Sequence, residues 1–151
     1  MIKEAKTDDL HQVVRLAERL WPDHVPGALE DELAGLMDRP DAAFFLAWEE
    51  GRAVGFAQCQ LRRDYVEGAE HSPAGYLEGI FVEEPFRRKG IAGKLLSACE
   101  GWALDRGCRE FASDCELDNT QSQRFHEALG FREANRIVCF VKELSHQEEI
   151  G

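Results

Sequence analysis

A short basic turn between an apolar segment and an amphipathic one constrains the fold of this chain most. Residues 76–82 read Tyr-Leu-Glu-Gly-Ile-Phe-Val, and their aromatic and β-branched side chains predict a strand. Residues 91–105 carry apolar side chains at helical spacing. Residues 87–90 between them read Arg-Arg-Lys-Gly. A strand, a basic glycine turn and the start of a helix together predict an anion site at the edge of a layered fold.

The turn offers hydrogen-bond donors and positive charge to an anion. The N–H groups in the first turn of a helix have no intrahelical partner and carry partial positive charge. Gly90 has no Cβ, so the backbone there can approach a ligand closely. A diphosphate suits such a site, although the same residues also fit a solvated basic turn. The spacing matches neither a P-loop nor the glycine pattern of a dinucleotide fold.

Composition narrows the class of protein. The chain of 151 residues predicts one domain, residues 1–144, and a flexible tail, residues 145–151. Its net charge of −11 disfavours nucleic acids and anionic membranes as partners and attracts cations, although an acidic surface also simply aids solubility. No apolar run approaches the roughly 20 residues that span a membrane, and no signal segment is visible. Five cysteines without a Cys-x-x-Cys pair indicate no disulfide framework or metal site and are typical of the cytoplasm.

The remaining patterns predict an α+β fold. Strands are expected near residues 2–6, 43–49, 53–61, 76–82, 110–114, 131–133 and 136–144. Helices are expected near residues 8–20, 28–37, 91–105 and 120–129. This order predicts a central mixed, mostly antiparallel sheet flanked by helices, with one parallel strand pair joined across the helix at 91–105.

Several motifs resemble those of a known family. The pattern Arg-x-x-Gly-x-Ala at residues 87–92 resembles the acetyl-CoA pyrophosphate loop of the GNAT N-acetyltransferases, whose fold is splayed at the acetyl-CoA-binding strand pair. Leu-Trp-Pro-Asp-His at 20–24, Ala-Ser-Asp at 112–114 and Leu-Asp-Asn at 117–119 are more specific. They resemble the aminoglycoside 6′-N-acetyltransferases of enteric and Acinetobacter type. The likeness runs from about residue 21 to residue 140.

The resemblance implies a site for acetyl-CoA as co-substrate, without a metal. The backbone of Ile80, Phe81 and Val82 would pair with the pantetheine arm, and one of these N–H groups would face the thioester oxygen. The pyrophosphate would lie against Arg88, Lys89, Gly90, Ile91, Ala92 and Gly93. Asn119 would contact the cofactor or serve only as a helix N-cap.

The resemblance also implies an acceptor pocket for a polycationic aminoglycoside. Its lining residues would be Trp21, His24, Tyr65, Glu78, Asp114 and Asn135. Carboxylates form charge-assisted hydrogen bonds with ammonium groups, and aromatic rings bind sugar faces or cations. Glu78 is expected to deprotonate the amine, directly or through a water. From chemistry alone, these residues also fit a surface carboxylate at Glu78, a cap at Asp114, a core residue at Trp21 and a loop histidine at His24.

Two positions depart from the family pattern. Many GNAT enzymes place a tyrosine after the phenylalanine of the last helix, as the acid for the leaving thiolate, whereas this chain has Phe125 and His126. His126 would replace that acid, because imidazole exchanges protons near neutral pH, or it would only pack. Asn135 stands where close relatives carry a glutamate of the acceptor pocket, so one charge is lost.

The expected activity is therefore transfer of the acetyl group of acetyl-CoA to the 6′-amine of an aminoglycoside, by direct attack in a ternary complex, with resistance as the consequence. Two alternatives remain. The acceptor would be a polyamine, another small amine or a protein N-terminus, or the chain would bind acetyl-CoA without catalysis. The family further implies a homodimer in which the last strands are exchanged or packed between subunits.

Overall fold

The computed structural model describes residues 1–145, so the predicted tail lies outside the described residues except for its first residue. The strands are β1 (Ile2–Glu4), β2 (Ala42–Glu49), β3 (Arg52–Arg62), β4 (Ala74–Val82) and β5 (Phe111–Ala112). The helices are α1 (Leu10–Leu20), α2 (Ala28–Met37), α3 (Ile91–Asp105) and α4 (Thr120–Ala128). Within this part of the chain, no helix is both long and apolar enough to cross a bilayer.

The strands form one sheet in the order β1-β2-β3-β4-β5. All neighbours are antiparallel except β4 and β5, which are parallel and joined across α3. Glu50 and Gly51, both at positive φ, form the tight turn between β2 and β3. The predicted mixed, mostly antiparallel sheet is therefore confirmed.

Helices cover both faces of the sheet. On one face α1 and α2 pack against a cluster that includes Phe44, Leu46 and Phe56. On the other face α3 contributes Leu95 and other buried residues to a second cluster. Because both faces are buried, β2 and β3 carry nearly continuous apolar runs instead of the alternation of a half-exposed sheet.

The sheet opens at β4, as predicted. β5 pairs with β4 only at Gly75 and Tyr76, and β4 then continues to Val82 without a neighbouring strand on that side within residues 1–145. On its other side the register with β3 shifts, so that Glu78 is an extra residue between the pairs made by Leu77 and Gly79. Glu78 is thus the bulged residue of β4, directly before Gly79.

The two final strands predicted from the alternating apolar pattern are absent, and that prediction was wrong for the single chain. Residues 131–145, here called the C-terminal segment, have no regular structure. A strand needs a hydrogen-bonded partner, and β5 is only two residues long. Apolar side chains of the segment consequently face solvent, with Phe140 91% exposed and Val141 95% exposed.

Candidate active site

The basic turn has an unusual backbone. Gly90, immediately before α3, has a φ of +80°, and Arg88 has a φ of +64°. Both lie in the left-handed region, which glycine adopts at little cost and other residues adopt rarely. A Cβ at Gly90 would meet no protein atom within 4 Å. Glycine is therefore required here for backbone conformation, and the space beside it is open to a ligand.

The basic side chains of the turn differ in their contacts. The Arg87 Nε donates a hydrogen bond of 2.7 Å to the carbonyl oxygen of Val82, which ties the turn to the end of β4. Arg88 and Lys89 are exposed, and no ion pair within residues 1–145 involves them. Arg88 and Lys89 are thus the side chains available to an anion at the start of α3.

A groove of about 640 Å³ begins at this turn and runs between α3 and α4. Gly90, Gly93 and Lys94 line one wall, and the end of α4 lines the other. Free helix N–H groups, two cations and an adjoining groove fit the pyrophosphate of acetyl-CoA. The Asn119 side chain accepts a 3.0 Å hydrogen bond from the backbone N–H of Ser122, so its role as the N-cap of α4 is confirmed.

Of the residues predicted for the acceptor pocket, the structure joins Glu78 and Asp114 through one network of contacts. Arg62 donates three hydrogen bonds of 2.8–3.0 Å to the carboxylate of Glu78. The same guanidinium lies 3.5 Å from the ring centroid of Tyr76, and the Tyr76 hydroxyl donates to Asp114. Burial, followed by the hydrogen bond to Asp114, raises the pKa of Tyr76, so this hydroxyl stays protonated.

Sequence reasoning missed Arg62 and Tyr76. The parallel register pairs Tyr76 with Ala112, two residues before Asp114, but that register is not visible in sequence. Arg62 reaches Glu78 from the neighbouring strand over 16 positions of sequence, and the bulge determines which strand face carries Glu78. Neither contact leaves a local sequence signal.

Trp21 and His24 close the end of α1 against the sheet. Trp21 packs edge-on against Phe56, with ring centroids 6.0 Å apart, and its ring also lies against the backbone of Gly79. The His24 ring Nδ1 lies 2.8 Å from the carbonyl oxygen of Trp21. Trp21 is therefore partly a core residue that also packs against β4, the strand that carries Glu78.

Tyr65 and Asn135 meet at a residue that sequence reasoning did not single out. The Tyr65 hydroxyl donates to the carboxylate of Glu67, and the Asn135 Nδ2 donates to the same carboxylate over 2.7 Å. Tyr65 is 82% exposed. These contacts join residues 64–73, here called the polar loop, to the C-terminal segment.

His126 has partners on both ring nitrogens. Its Nδ1 lies 2.7 Å from the carbonyl oxygen of Ser122, which only accepts, so Nδ1 carries a hydrogen. Its Nε2 lies 2.7 Å from the Ser113 hydroxyl oxygen. Ser113 is the first residue after β5, at the point where the sheet opens. Ser113, which sequence reasoning did not single out, therefore stands between His126 and the opening.

Within residues 1–145 the structure gathers no group of three His, Cys, Asp or Glu side chains that could hold a metal ion. The carboxylates at the site, which could serve as metal ligands, already accept hydrogen bonds from protein side chains. Glu78 is bonded by Arg62, and the carboxylate of Asp114 accepts from Tyr76.

Comparison with known proteins defines the family. The sequence profile of the Acetyltransferase (GNAT) family matches residues 10–131. The aminoglycoside N(6')-acetyltransferase type 1 of Salmonella typhimurium is 42% identical over 127 residues, which cover 84% of this chain and 88% of the relative. The same enzyme type from Stenotrophomonas maltophilia is 40% identical over 139 residues, which cover 92% of this chain and 90% of the relative.

Solved structures agree. AAC(6')-Iy in complex with the bisubstrate analog CoA-S-monomethyl-acetylneamine has a TM-score of 0.91 at 38% identity, covering 95% of this chain and 98% of that one. AAC(6')-Ih from Acinetobacter baumannii has a TM-score of 0.90 at 38% identity, covering 96% and 99%. The chain belongs to the GNAT acetyltransferase family, within its aminoglycoside 6′-N-acetyltransferase branch.

Proposed function

We propose that this enzyme transfers the acetyl group of acetyl-CoA to the 6′-amine of aminoglycoside antibiotics, by direct attack of the amine in a ternary complex, and so confers resistance. The observation that supports the proposal is that one strand, β4, has both an unpaired edge and a bulge. Its edge beyond Tyr76 is free within residues 1–145, and its bulge carries Glu78. Relatives at 40–42% identity bear this activity in their names.

The donor half uses backbone groups. On the free edge of β4, Ile80, Phe81 and Val82 offer N–H and C=O groups to the pantetheine arm, which adds to the sheet like a strand. One of these N–H groups faces the thioester oxygen and stabilises its developing charge. The pyrophosphate lies on residues 88–93, and the Asn119 amide contacts the cofactor beyond its cap.

The acceptor half uses carboxylates at fixed positions. Glu78 and Asp114 bind ammonium groups, while the aromatic rings of Trp21 and Tyr65 lie against sugar faces. Because Arg62 holds both oxygens of Glu78, this carboxylate keeps its orientation when the substrate arrives. Glu78 takes the proton of the attacking amine through a water. His24 supports Trp21 through the carbonyl contact described above.

The leaving thiolate takes its proton through Ser113 and His126. Protonated His126 keeps its Nδ1 hydrogen on Ser122 and donates its Nε2 hydrogen to Ser113, which frees the serine hydroxyl hydrogen for the sulfur. As the sulfur takes that hydrogen, Ser113 receives the Nε2 hydrogen of His126, and His126 then takes up a proton from solvent. Ser113→Ala should lower the single-turnover rate of thiol release, and Ser113→Thr should restore it. An unchanged rate in Ser113→Ala would contradict the role of this pair.

The reaction is tested by acetyl-CoA-dependent thiol release with two aminoglycosides. Kanamycin carries a 6′-amine and paromomycin a 6′-hydroxyl, so turnover with kanamycin and little with paromomycin supports both the reaction and its position. Equal turnover of both would refute the 6′ position. Absence of acceptor-dependent release with either, while acetyl-CoA still binds, would refute the aminoglycoside as substrate.

We also propose a homodimer of a single domain, residues 1–144, built through the C-terminal segment. Its exposed Phe140 and Val141 and the short β5 leave apolar side chains and a strand edge uncovered within residues 1–145. A second copy covers them by exchange or packing of the segment. Phe140→Asp should convert the dimer to monomer in light scattering. A monomeric wild type would refute the assembly.

The location we propose is the cytoplasm. Cys59, Cys99 and Cys108 are buried free thiols in the core, and Cys115 and Cys139 are exposed free thiols. Such thiols persist in a reducing compartment. Fractionation of cells should recover the activity with cytoplasmic markers, and recovery with periplasmic or membrane markers would contradict the location.

A further inference from the structure

The carboxylate of Glu67 is the centre of a small cluster, here called the Glu67 cluster, that contains two residues predicted to line the acceptor pocket. Its members are Tyr65, Glu67 and Asn135. Tyr65 donates to one carboxylate oxygen and Asn135 donates to the other over 2.7 Å. The two donors come from the polar loop and from the C-terminal segment, so the carboxylate lies where these two parts of the chain meet.

The polar loop holds this carboxylate in place. A Cβ at Gly68 would clash with the Cβ of Ala134, so the loop touches the C-terminal segment directly beside Glu67. Further along the loop, the Glu110 carboxylate accepts hydrogen bonds of 2.9 and 2.8 Å from the backbone N–H groups of Glu70 and His71. The loop is thereby anchored at two places after Glu67, which keeps this part of the loop beside the C-terminal segment.

The charge of Glu67 is available to a ligand. The Tyr65 hydroxyl, and secondarily the Asn135 amide, lowers the pKa of Glu67, so the group is an anion at neutral pH. No ion pair within residues 1–145 involves Glu67. A carboxylate has about four lone-pair sites, of which the two donors use only part. Room remains for a cationic donor.

We propose that Glu67 is a specificity-determining residue that binds a second ammonium group of the acceptor, remote from the amine that is acetylated. The inference rests on the proposed aminoglycoside acetyl transfer. Asn135 is a positioning residue, because it orients Glu67 and carries no charge itself. Glu67 supplies, directly beside Asn135, the negative charge that Asn135 lacks. The enzyme therefore favours acceptors with several ammonium groups.

The test replaces one oxygen of Glu67. In Glu67→Gln the KM for kanamycin should rise about tenfold, since a hydrogen bond to a charged group is lost at an exposed site, while the KM for acetyl-CoA stays unchanged. Glu70→Gln is the matched control, because it removes the same charge from the same loop without touching the cluster. In Glu67→Gln/Asn135→Glu the carboxylate moves to the other end of the 2.7 Å contact, and the KM should recover.

Two outcomes overturn the proposal. One is a kanamycin KM in Glu67→Gln equal to that of wild type, and the other is an equal rise in Glu70→Gln, which would indicate only a change of overall charge. If wild type acetylates no aminoglycoside, the proposed function fails separately. In that case, titration calorimetry with kanamycin still tests whether Glu67 contributes to binding. Weaker binding in Glu67→Gln than in Glu70→Gln supports Glu67, and equal affinities refute it.

Discussion

One added methyl group at Gly79 tests the geometry of the acceptor side. A Cβ at this position would lie 2.6 Å from the Cη2 and Cζ2 atoms of Trp21 and 3.0 Å from Cδ2 of Leu20. Carbon atoms in ordinary contact are about 3.5–4.0 Å apart, so the indole ring must move by about 1 Å. The ring already packs against Phe56, which is fully buried. The core therefore blocks its retreat, and we expect it to move outward.

The expected size of the effect follows from overpacking. Inserting a methyl group where no space exists costs about 1–3 kcal/mol, and each kcal/mol lowers Tm by about 2–4 °C for a chain of this length. Displacement of a substrate-contacting group by about 1 Å costs up to about 100-fold in rate. Gly79→Ala should therefore lower both Tm and kcat/KM for kanamycin, with acetyl-CoA affinity retained, as measured by calorimetry and steady-state kinetics.

A matched control separates this clash from a general effect of replacing glycine. Gly101 lies in α3, and a Cβ there would meet no atom within 4 Å. Gly101→Ala should leave the kinetics unchanged and stabilise the helix by about 0.5–1 kcal/mol. In Gly79→Ala/Trp21→Ala the alanine should cost less stability than it does beside the intact Trp21, because only the 3.0 Å approach to Leu20 remains. A Gly79→Ala enzyme with wild-type Tm and kcat/KM would show that Trp21 does not pack against β4.

Three further predictions concern other parts of the molecule. Gly90→Val should raise the Kd for acetyl-CoA by at least about tenfold, because a β-branched residue is strained at a φ of +80°; an unchanged Kd in a folded variant would exclude the turn as the cofactor site. Asp114→Ala should lower kcat/KM for kanamycin about 10- to 100-fold by loss of a charged hydrogen bond, without changing the Kd for acetyl-CoA, and equal losses would contradict its place on the acceptor side. Burial raises the pKa of Glu83, but the hydrogen bonds from Arg52 and Arg15 outweigh it and lower the pKa overall. The stability that Glu83 contributes is thus present above its unfolded pKa of about 4.3, and it is lost as pH falls through the lower folded pKa. Urea midpoints should therefore decline less below pH 5 in Glu83→Gln than in wild type. Parallel declines of the two proteins would refute this role of Glu83.

The elements with local signals could be predicted from sequence alone. The helices at residues 28–37 and 91–105 were predicted with the bounds they have in the structure. Their apolar spacing and the glycine near each helix lie within a few residues of one another, and such signals act before any tertiary contact forms. The order of strands and helices was sufficient for the mixed sheet, because few topologies connect these elements with short loops.

The C-terminal segment shows where local pattern is insufficient. Its alternating apolar residues satisfy the criterion for a strand, yet residues 131–145 form none. Strand structure depends on a partner that supplies backbone hydrogen bonds, and the pattern of one segment contains no information about that partner. Exposed Phe140 and Val141 are consistent with the same pattern, because an apolar face needs a cover that residues 1–145 of one chain do not supply.

The chemical groups of the site can be read from the sequence: a basic glycine turn before α3, carboxylates at Glu78 and Asp114, and an imidazole at His126. The contacts that these groups make depend on the fold. The β4 bulge and the β4–β5 register place Arg62 on Glu78 and the Tyr76 hydroxyl on Asp114. Residue types are local properties, whereas these partners lie 16 and 38 positions apart and meet only because strand register and sheet opening bring them together.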